Sequence, residues 1–157
     1  MIKIVHLVHS IDPTTGGVAE AVNRLSDEMN ALGLNSSVTD KRKYNLENTL
    51  FIIAHGLWQW PSIEAYHCFK TYNIPYLLFP HGMLDPWFKK TYRLKHLKKQ
   101  IYWWFRQHKA VRNAKALCFT TEEERILSQN TFFPYSCREV VTGLGVKNPP
   151  NNGAVQC

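Results

Sequence analysis

Three short polar segments contain the side chains best suited to binding or chemistry. They are residues 9–17, 55–61 and 80–87, and each follows a run of apolar residues. The first ends in the pair Gly16-Gly17, directly before a helical pattern. Glycines in that place let backbone N–H groups approach an anion closely, and the helix dipole favours a phosphate there. The pair fits neither G-x-G-x-x-G nor the P-loop pattern, so a plain tight turn is an alternative interpretation.

The second and third segments bring a histidine and aromatic rings to the end of a strand pattern. His55 and His81 are each followed by glycine, and an imidazole there can hydrogen-bond a ligand hydroxyl or phosphate. Tryptophans Trp58, Trp60 and Trp87 follow, with flat apolar faces that suit sugars or lipids. One such histidine alone is commonly a core residue bonded to the backbone. Two of them beside a glycine pair favour a shared binding site.

The other histidines and the cysteines predict no further chemistry. The histidines interpreted as structural show no metal-ligand spacing, and the chain has no G-x-S-x-G motif. The cysteines include no C-x-x-C pair and are interpreted as reduced thiols. We therefore expect no metal and no hydrolase site. The residues concerned are His6, His9, His67, His96, His108, Cys68, Cys118, Cys137 and Cys157.

The segments lie between elements that alternate along the chain. Continuous apolar runs predict buried strands, and apolar residues spaced by three and four predict helices. This alternation predicts an α/β fold: a Rossmann-like, doubly wound parallel sheet that binds ligands at the carboxyl ends of its strands. We expect one domain over residues 1–147 and a linker or frayed tail over 148–157. The predicted strands are 2–8, 36–39, 50–55, 76–79, 116–120 and 139–142, and the predicted helices are 18–32, 61–72, 92–113 and 122–129.

Charge and hydropathy distinguish one helix from the rest. The net charge is +7, yet residues 89–115 hold ten basic residues and no acidic one, so the rest of the chain carries −3. One stripe of the helix is expected to face the core: Leu94, Leu97, Ile101, Trp104, Phe105, His108 and Val111. The opposite face carries Lys95, Lys99, Tyr102, Arg106 and Lys109, with Trp103 to one side.

That basic face has two interpretations. A basic face with interfacial aromatic residues fits peripheral binding to anionic lipid, and we assign Lys95, Lys99, Arg106 and Lys109 to a membrane-facing surface. A solvated helix face is the alternative. Binding to nucleic acid has little support, because no nucleic-acid motif accompanies the charge. The apolar runs are too short for a transmembrane helix, and no secretory signal is recognisable.

Taken together, the segments resemble the amino-terminal, acceptor-side domain of the family 4 glycosyltransferases, which are retaining enzymes of GT-B architecture. The resemblance covers most of the chain in the family's order. It implies transfer of a sugar from a nucleotide-sugar to an acceptor hydroxyl with retention of configuration, in cell-surface polysaccharide synthesis and without a metal or cofactor. The matching pieces are HSIDPTTGGVAEAV (9–22), AHGLWQWPS (54–62), IPYLLFPHGMLDPW (74–87), ALCFTTEEE (116–124) and a degenerate VVTGLGV (140–146).

The resemblance also implies roles for individual residues. Gly16 and Gly17 match the glycines that approach the donor diphosphate, and His81 matches the catalytic-site histidine that contacts the transferred sugar. The residues implied on the acceptor side are Asp12, His55, Trp58, Trp60, Asp85 and Trp87. The implied partners are a nucleotide-sugar and a sugar or lipid-linked acceptor.

Two departures from the family affect the expected activity. The donor-binding domain with its E-x7-E motif is missing, and Gly143 to Lys147 replace the usual P-N-G-V-D. We therefore expect a truncated or split, cytoplasmic enzyme that needs a second chain or domain for its donor and can lie on the inner face of the membrane. One alternative is a non-catalytic domain that docks on a membrane or partner chain. Another is an unrelated nucleotide-binding Rossmann domain, for which Asp40 is the candidate acidic residue.

Overall fold

A computed structural model describes residues 3–12, 14 and 16–143 of the chain. The predicted tail, 148–157, lies outside these residues, as do the last residues of the predicted domain, 144–147, and of the segment 140–146.

Six parallel strands form one sheet in the order β2-β1-β3-β4-β5-β6. This confirms the predicted α/β, Rossmann-like fold. Because every strand runs the same way, all carboxyl ends lie at one edge, and the strand order reverses between β1 and β3, where ligands bind in such sheets. The strands are β1 (Lys3–Leu7), β2 (Asn35–Thr39), β3 (Thr49–His55), β4 (Tyr76–Phe79), β5 (Ala116–Phe119) and β6 (Glu139–Val141).

The helices begin and end where local signals place them. Pro61 occupies the first turn of α2, where its missing N–H costs nothing, and Asn73 ends that helix in the left-handed region, with φ 57°. The Thr121 hydroxyl accepts the Glu124 N–H and caps α6. The helices are α1 (Gly17–Ala31), α2 (Trp60–Tyr72), α3 (Trp87–Thr91), α4 (Arg93–Tyr102), a π-helical turn (Trp103–Gln107), α5 (His108–Asn113) and α6 (Glu122–Ser128).

Strand alternation divides the buried residues between the two sheet faces. The main core includes Leu7, Ile52, Leu78 and Trp103, and α2, the π-helical turn and α5 pack there. A smaller cluster around Ile53, Phe79, Ala116 and Cys118 lies on the other face, where Met29 of α1 packs. His6 and His55 alternate with main-core residues along β1 and β3, so they lie on this second face.

The predicted core-facing stripe of the long helix is wrong over most of its length. Leu94 is 80% exposed and Phe105 is 71% exposed, and Leu97, Ile101 and Trp104 are exposed as well. Only Val111 of the stripe is fully buried, and His108 is half-buried. Trp103, expected at the side of the helix, is fully buried instead.

The buried face of this helix is partly polar, which explains the error. Gln100 makes two hydrogen bonds to the backbone of Phe133, at 2.5 and 3.2 Å. Gln107 is fully buried, and its Oε1 accepts the N–H of Trp58 at 3.1 Å. Buried N–H and C=O groups of a loop need hydrogen-bond partners, and here the glutamine side chains on the buried face of the helix supply them. A search for apolar periodicity therefore selects the wrong face.

Candidate functional site

Three histidines form a continuous row across the carboxyl edge of the sheet. His6 Nδ1 lies 3.0 Å from His55 Nε2, and His55 Nδ1 lies 3.0 Å from His81 Nε2. The ring planes differ by only 14° and 23°, with centroids 5.4 and 5.3 Å apart. These values describe imidazoles joined edge to edge in nearly one plane, so each contact is a hydrogen bond in the plane of the rings.

Burial changes along the row. His6 is fully buried and His55 is 2% exposed, whereas His81 is only half-buried. Burial lowers the pKa of His6 to about 4 and lowers the pKa of His55 well below its usual range, helped by repulsion from the neighbouring histidines. Burial also lowers the pKa of His81, and the nearby charge of Glu124 opposes that shift. All three rings are therefore neutral near pH 7.

The loop after β4 holds His81 in an uncommon backbone conformation. His81 has φ 50° and Gly82 has φ 75°, so two successive residues lie in the left-handed region. The Gly82 N–H donates to Glu124 Oε1 at 2.7 Å, and Glu124 Oε2 accepts the N–H and the hydroxyl of Thr120. Glu124 therefore ties the loops after β4 and β5 together beside His81, where strain of this kind is typical of functional sites.

A cavity of about 390 Å³ opens beside His81. Its polar lining combines carboxylates that can accept hydrogen bonds with hydroxyls that can donate or accept them. Asp85 lies in this lining, is exposed, and accepts the N–H of Trp87 at 2.7 Å. The lining residues are His81, Gly82, Asp85, Thr120, Thr121, Glu123, Glu124 and Leu127.

A second cavity, of about 410 Å³, contains two of the predicted acceptor residues. Trp58 and Trp60 line it together with Arg42, Arg106 and Glu64. Aromatic faces beside charged hydrogen-bonding groups are typical of sugar-binding surfaces.

Trp58 also has a structural role. Its ring packs on Phe132, with centroids 4.8 Å apart, and its indole N–H donates to the Met83 carbonyl. Its φ of 65° is left-handed. Trp60 is half-buried at the first position of α2 and packs against the main core, with no ring contact like that of Trp58 on Phe132 among its described contacts.

Gly16 of the glycine pair lines a third, smaller cavity of about 170 Å³. Gly16 and His55 both line it, and His9 and Gln59 are shared with the tryptophan cavity. Gly16 has φ 140° and ψ 166° directly before α1, a conformation that essentially only glycine adopts. A Cβ added at Gly16 or Gly17 would meet no atom within 4 Å, so the space on that side of each glycine is open.

Six of the predicted catalytic, donor and acceptor residues line three cavities along one edge of the sheet: Gly16, His55, Trp58, Trp60, His81 and Asp85. His55 and Gly16 share the smallest, and the row of histidines connects it to the His81 cavity. Asp12 lies outside all three cavities and is exposed, and its pKa is lowered by the backbone N–H and the hydroxyl of Thr14. Trp87 is 55% exposed and packs edge-on against Tyr92, also outside the cavities.

The four predicted membrane-facing residues are not equivalent. Lys99 is half-buried, with its ammonium 5.0 Å from the centre of the Trp58 ring. Lys95 is exposed and lies over Tyr92. Arg106 and Lys109 are exposed, and Arg106 also lines the tryptophan cavity. Within the described residues, no helix is long and apolar enough to cross a membrane.

Sequence reasoning missed three residues that shape the site. From the sequence alone, His6 is interpreted as a structural histidine, Gln107 is not singled out, and Glu124 is included only within the segment ALCFTTEEE (116–124). Only His6 had a usable signal, because it alternates with buried apolar residues on a strand beside the one that ends in His55. Among the described residues, no group of three or more His, Cys, Asp or Glu side chains could hold a metal ion.

Comparison with known proteins adds no family assignment. No protein-family model matches the chain, and a search of the curated proteins finds no match.

Proposed function

We propose that this chain is the acceptor-binding half of a retaining, nucleotide-sugar-dependent glycosyltransferase that acts in cell-surface polysaccharide synthesis. The observation that carries the proposal is the edge of the sheet at β1, β3 and β4. A glycine pair before a helix, a tryptophan-lined cavity and a histidine-bearing polar cavity lie there side by side. The resemblance of the same three loops to family 4 glycosyltransferases supports it.

The arrangement suits the chemistry of glycosyl transfer. Positive charge develops on the sugar ring and negative charge on the departing diphosphate as the glycosidic bond breaks. Backbone N–H groups at Gly16 and Gly17 can stabilise the diphosphate, and the space at the Cβ position of each glycine is open. His81 and the carboxylates beside it can hold sugar hydroxyls, and the tryptophan cavity can hold the acceptor. The donor's nucleotide would be held by a second domain or chain.

Isothermal titration calorimetry on the purified chain tests the proposal. A panel of oligosaccharides is titrated beside a panel of nucleotide-sugars. We expect measurable binding of one acceptor-class sugar and little heat from any nucleotide-sugar. Trp60→Ala should lower the sugar affinity at least tenfold, whereas Trp104→Ala, an exposed tryptophan away from the cavities, should leave it unchanged. Absence of sugar binding by the native chain would contradict the proposal.

A separate observation favours a second activity, peripheral docking on an anionic membrane. The exposed side of α4 and the π-helical turn carries an apolar row, which is Leu94, Leu97, Ile101, Trp104 and Phe105. Contiguous apolar surface of this kind marks an interaction site. Basic residues flank the row, and residues 86–121 include no aspartate or glutamate.

Charge complementarity selects anionic lipid as the partner. Apolar side chains can enter the boundary between headgroups and acyl chains, while lysines and arginines remain at the phosphates. Each basic residue near such a surface contributes about 1 kcal/mol. Docking in this way would bring the tryptophan cavity, which shares Arg106 with the basic flank, close to a lipid-linked acceptor.

Co-sedimentation with vesicles tests the docking proposal. We expect binding to vesicles that contain phosphatidylglycerol and little binding to pure phosphatidylcholine. Leu94→Ser and Phe105→Ser should each weaken binding severalfold. Leu32→Ser is the matched control, because Leu32 is also 80% exposed but lies at the end of α1. Equal loss with all three variants, or binding that ignores lipid charge, would contradict docking through this row.

A further inference from the structure

The row of three histidines constrains which ring nitrogen of His81 carries its proton. We infer that His6 and His55 are positioning residues that set the tautomer of His81, so that its Nδ1 carries the proton and donates to a sugar oxygen in the adjoining cavity. The protonation pattern follows from the row itself. Only the identity of the ligand rests on the proposed function.

Proton counting leaves two possible patterns. A neutral imidazole carries one N–H, and each of the two N···N contacts needs one proton between its nitrogens. If His6 Nδ1 donates to His55 Nε2, then His55 must donate from Nδ1 to His81 Nε2, and His81 carries its proton on Nδ1. If the first bond runs the other way, every ring carries its proton on Nε2. The three tautomers therefore change together.

The buried end of the row decides between the two patterns. His6 Nε2 is buried and has no hydrogen-bond partner. In the second pattern this atom would be an N–H with no acceptor, whereas in the first it is only a lone pair with no donor. Buried N–H groups without an acceptor are the rarer of the two in native proteins. Burial of His6 therefore favours the first pattern, with the proton of His81 on Nδ1.

The cavity beside His81 suits a donor at this position. Asp85, Glu123 and Glu124 supply carboxylates that accept hydrogen bonds from hydroxyl groups and repel phosphate. An N–H from His81 adds the complementary donor for a ring or hydroxyl oxygen. The combination fits a neutral sugar, and it makes His81 a hydrogen-bond donor to the sugar instead of a general base.

Nuclear magnetic resonance of the native chain tests the inference without any assay of activity. The chain is labelled with nitrogen-15 in its histidines and studied near pH 8, so that all rings are neutral. Long-range proton–nitrogen spectra distinguish a protonated ring nitrogen from an unprotonated one, and His81→Gln assigns the His81 signals. We expect His81 with a protonated Nδ1 and an unprotonated Nε2, and couplings across both N–H···N bonds. A protonated Nε2 on His81 would overturn the inference.

Variants of His6 separate tautomer control from simple packing. His6→Phe should shift His81 toward a mixture of tautomers, and His6→Asn should restore the native pattern, because its amide N–H can replace Nδ1–H. His108→Phe removes a half-buried histidine outside the row and should change nothing at His81. An unchanged His81 tautomer in a folded His6→Phe would contradict control by His6. If that variant does not fold, the native spectrum decides alone. Failure of sugar binding would refute the proposed function and leave this result intact.

Discussion

At the scale of single residues, burial and backbone geometry account for most of the site. His6 and His55 are neutral because ionised imidazole would lose its hydration at these positions. His81 and Gly16 have backbone angles that few residues adopt without strain. Buried histidines and strained backbone both cost free energy of folding. Their concentration at one edge of the sheet indicates a binding site there.

The depressed histidine pKa values predict that the protein loses stability in mild acid. The unfolded chain has histidine pKa values near 6.5 and takes up protons first, because the folded pKa of His6 is about 4 and those of His55 and His81 are also lowered. Their contribution is complete above pH 6.5 and is lost as the pH falls toward the folded values. Between pH 6.5 and about 4, His6 should lower the free energy of unfolding by about 1 kcal/mol per pH unit, and His55 and His81 should change it in the same direction.

Urea unfolding followed by tryptophan fluorescence at about pH 7.5 and about pH 5.5 measures this effect. His6→Phe should flatten the pH dependence, and His67→Gln, at an exposed position on α2, should preserve it. Equal stability at the two pH values would show that the row does not remain neutral in the folded state.

The glycine pair predicts opposite effects for two adjacent substitutions. Gly16→Ala places a side chain in the region of φ 140° and ψ 166° and should destabilise the chain by about 1–3 kcal/mol. Gly17→Ala lies within α1 with open space around it and should stabilise the chain by about 0.5 kcal/mol. Thermal unfolding of the two variants checks the difference, and equal effects would argue against the described backbone at Gly16.

At the scale of elements, the long helix after β4 is rotated about its axis from the orientation that its hydropathy predicts. The inward face uses Gln100 and Gln107 to bind the backbone of two irregular loops, and Trp103 fills the main core. The outward face keeps an apolar row in contact with solvent. The helix therefore uses polar side chains on its buried face to support the two loops. Its apolar side chains remain exposed, where a partner surface can contact them.

Two neighbouring tryptophans test this orientation directly. Trp103→Ala should destabilise the chain by about 3–5 kcal/mol, because it empties a fully buried site. Trp104→Ala should cost less than about 1 kcal/mol, since its ring is half exposed and it loses a solvent-accessible hydrogen bond to Phe133. Chemical denaturation of both variants gives the comparison. A larger loss at Trp104 would restore the orientation predicted from hydropathy.

At the scale of the whole molecule, charge and apolar surface coincide. The sequence segment 89–115 contains both ten basic residues and the exposed apolar row, while the rest of the chain is slightly acidic. One side of the domain therefore has an attractive field for anionic surfaces, and the field decays within about 10 Å at moderate salt.

This distribution predicts salt-sensitive binding to anionic vesicles. Raising sodium chloride from about 0.05 M to about 0.5 M should reduce the bound fraction severalfold, because salt screens the basic flank and spares apolar insertion. The double reversal Arg106→Glu/Lys109→Glu should do the same at low salt. Lys41→Glu/Lys43→Glu changes the net charge equally at an exposed loop and is the control. If the two double variants reduced vesicle binding equally, the binding would depend on net charge alone and not on the basic flank of the row.

The parallel α/β fold, and the edge of the sheet at which the candidate site lies, are predictable from the sequence alone. Buried strands of a parallel sheet need apolar side chains on both faces, and amphipathic helices need apolar residues that recur with a period near 3.6. Both patterns can be recognised within a short stretch of sequence. The strand bounds agree with prediction to within two residues, and the loops that carry His55 and His81 meet as expected. The contact of His6 with His55 and the buried face of the long helix become apparent only in the folded chain. Both features depend on hydrogen bonds between buried polar groups that are distant in sequence. The hydropathy pattern does not show which of these groups will pair.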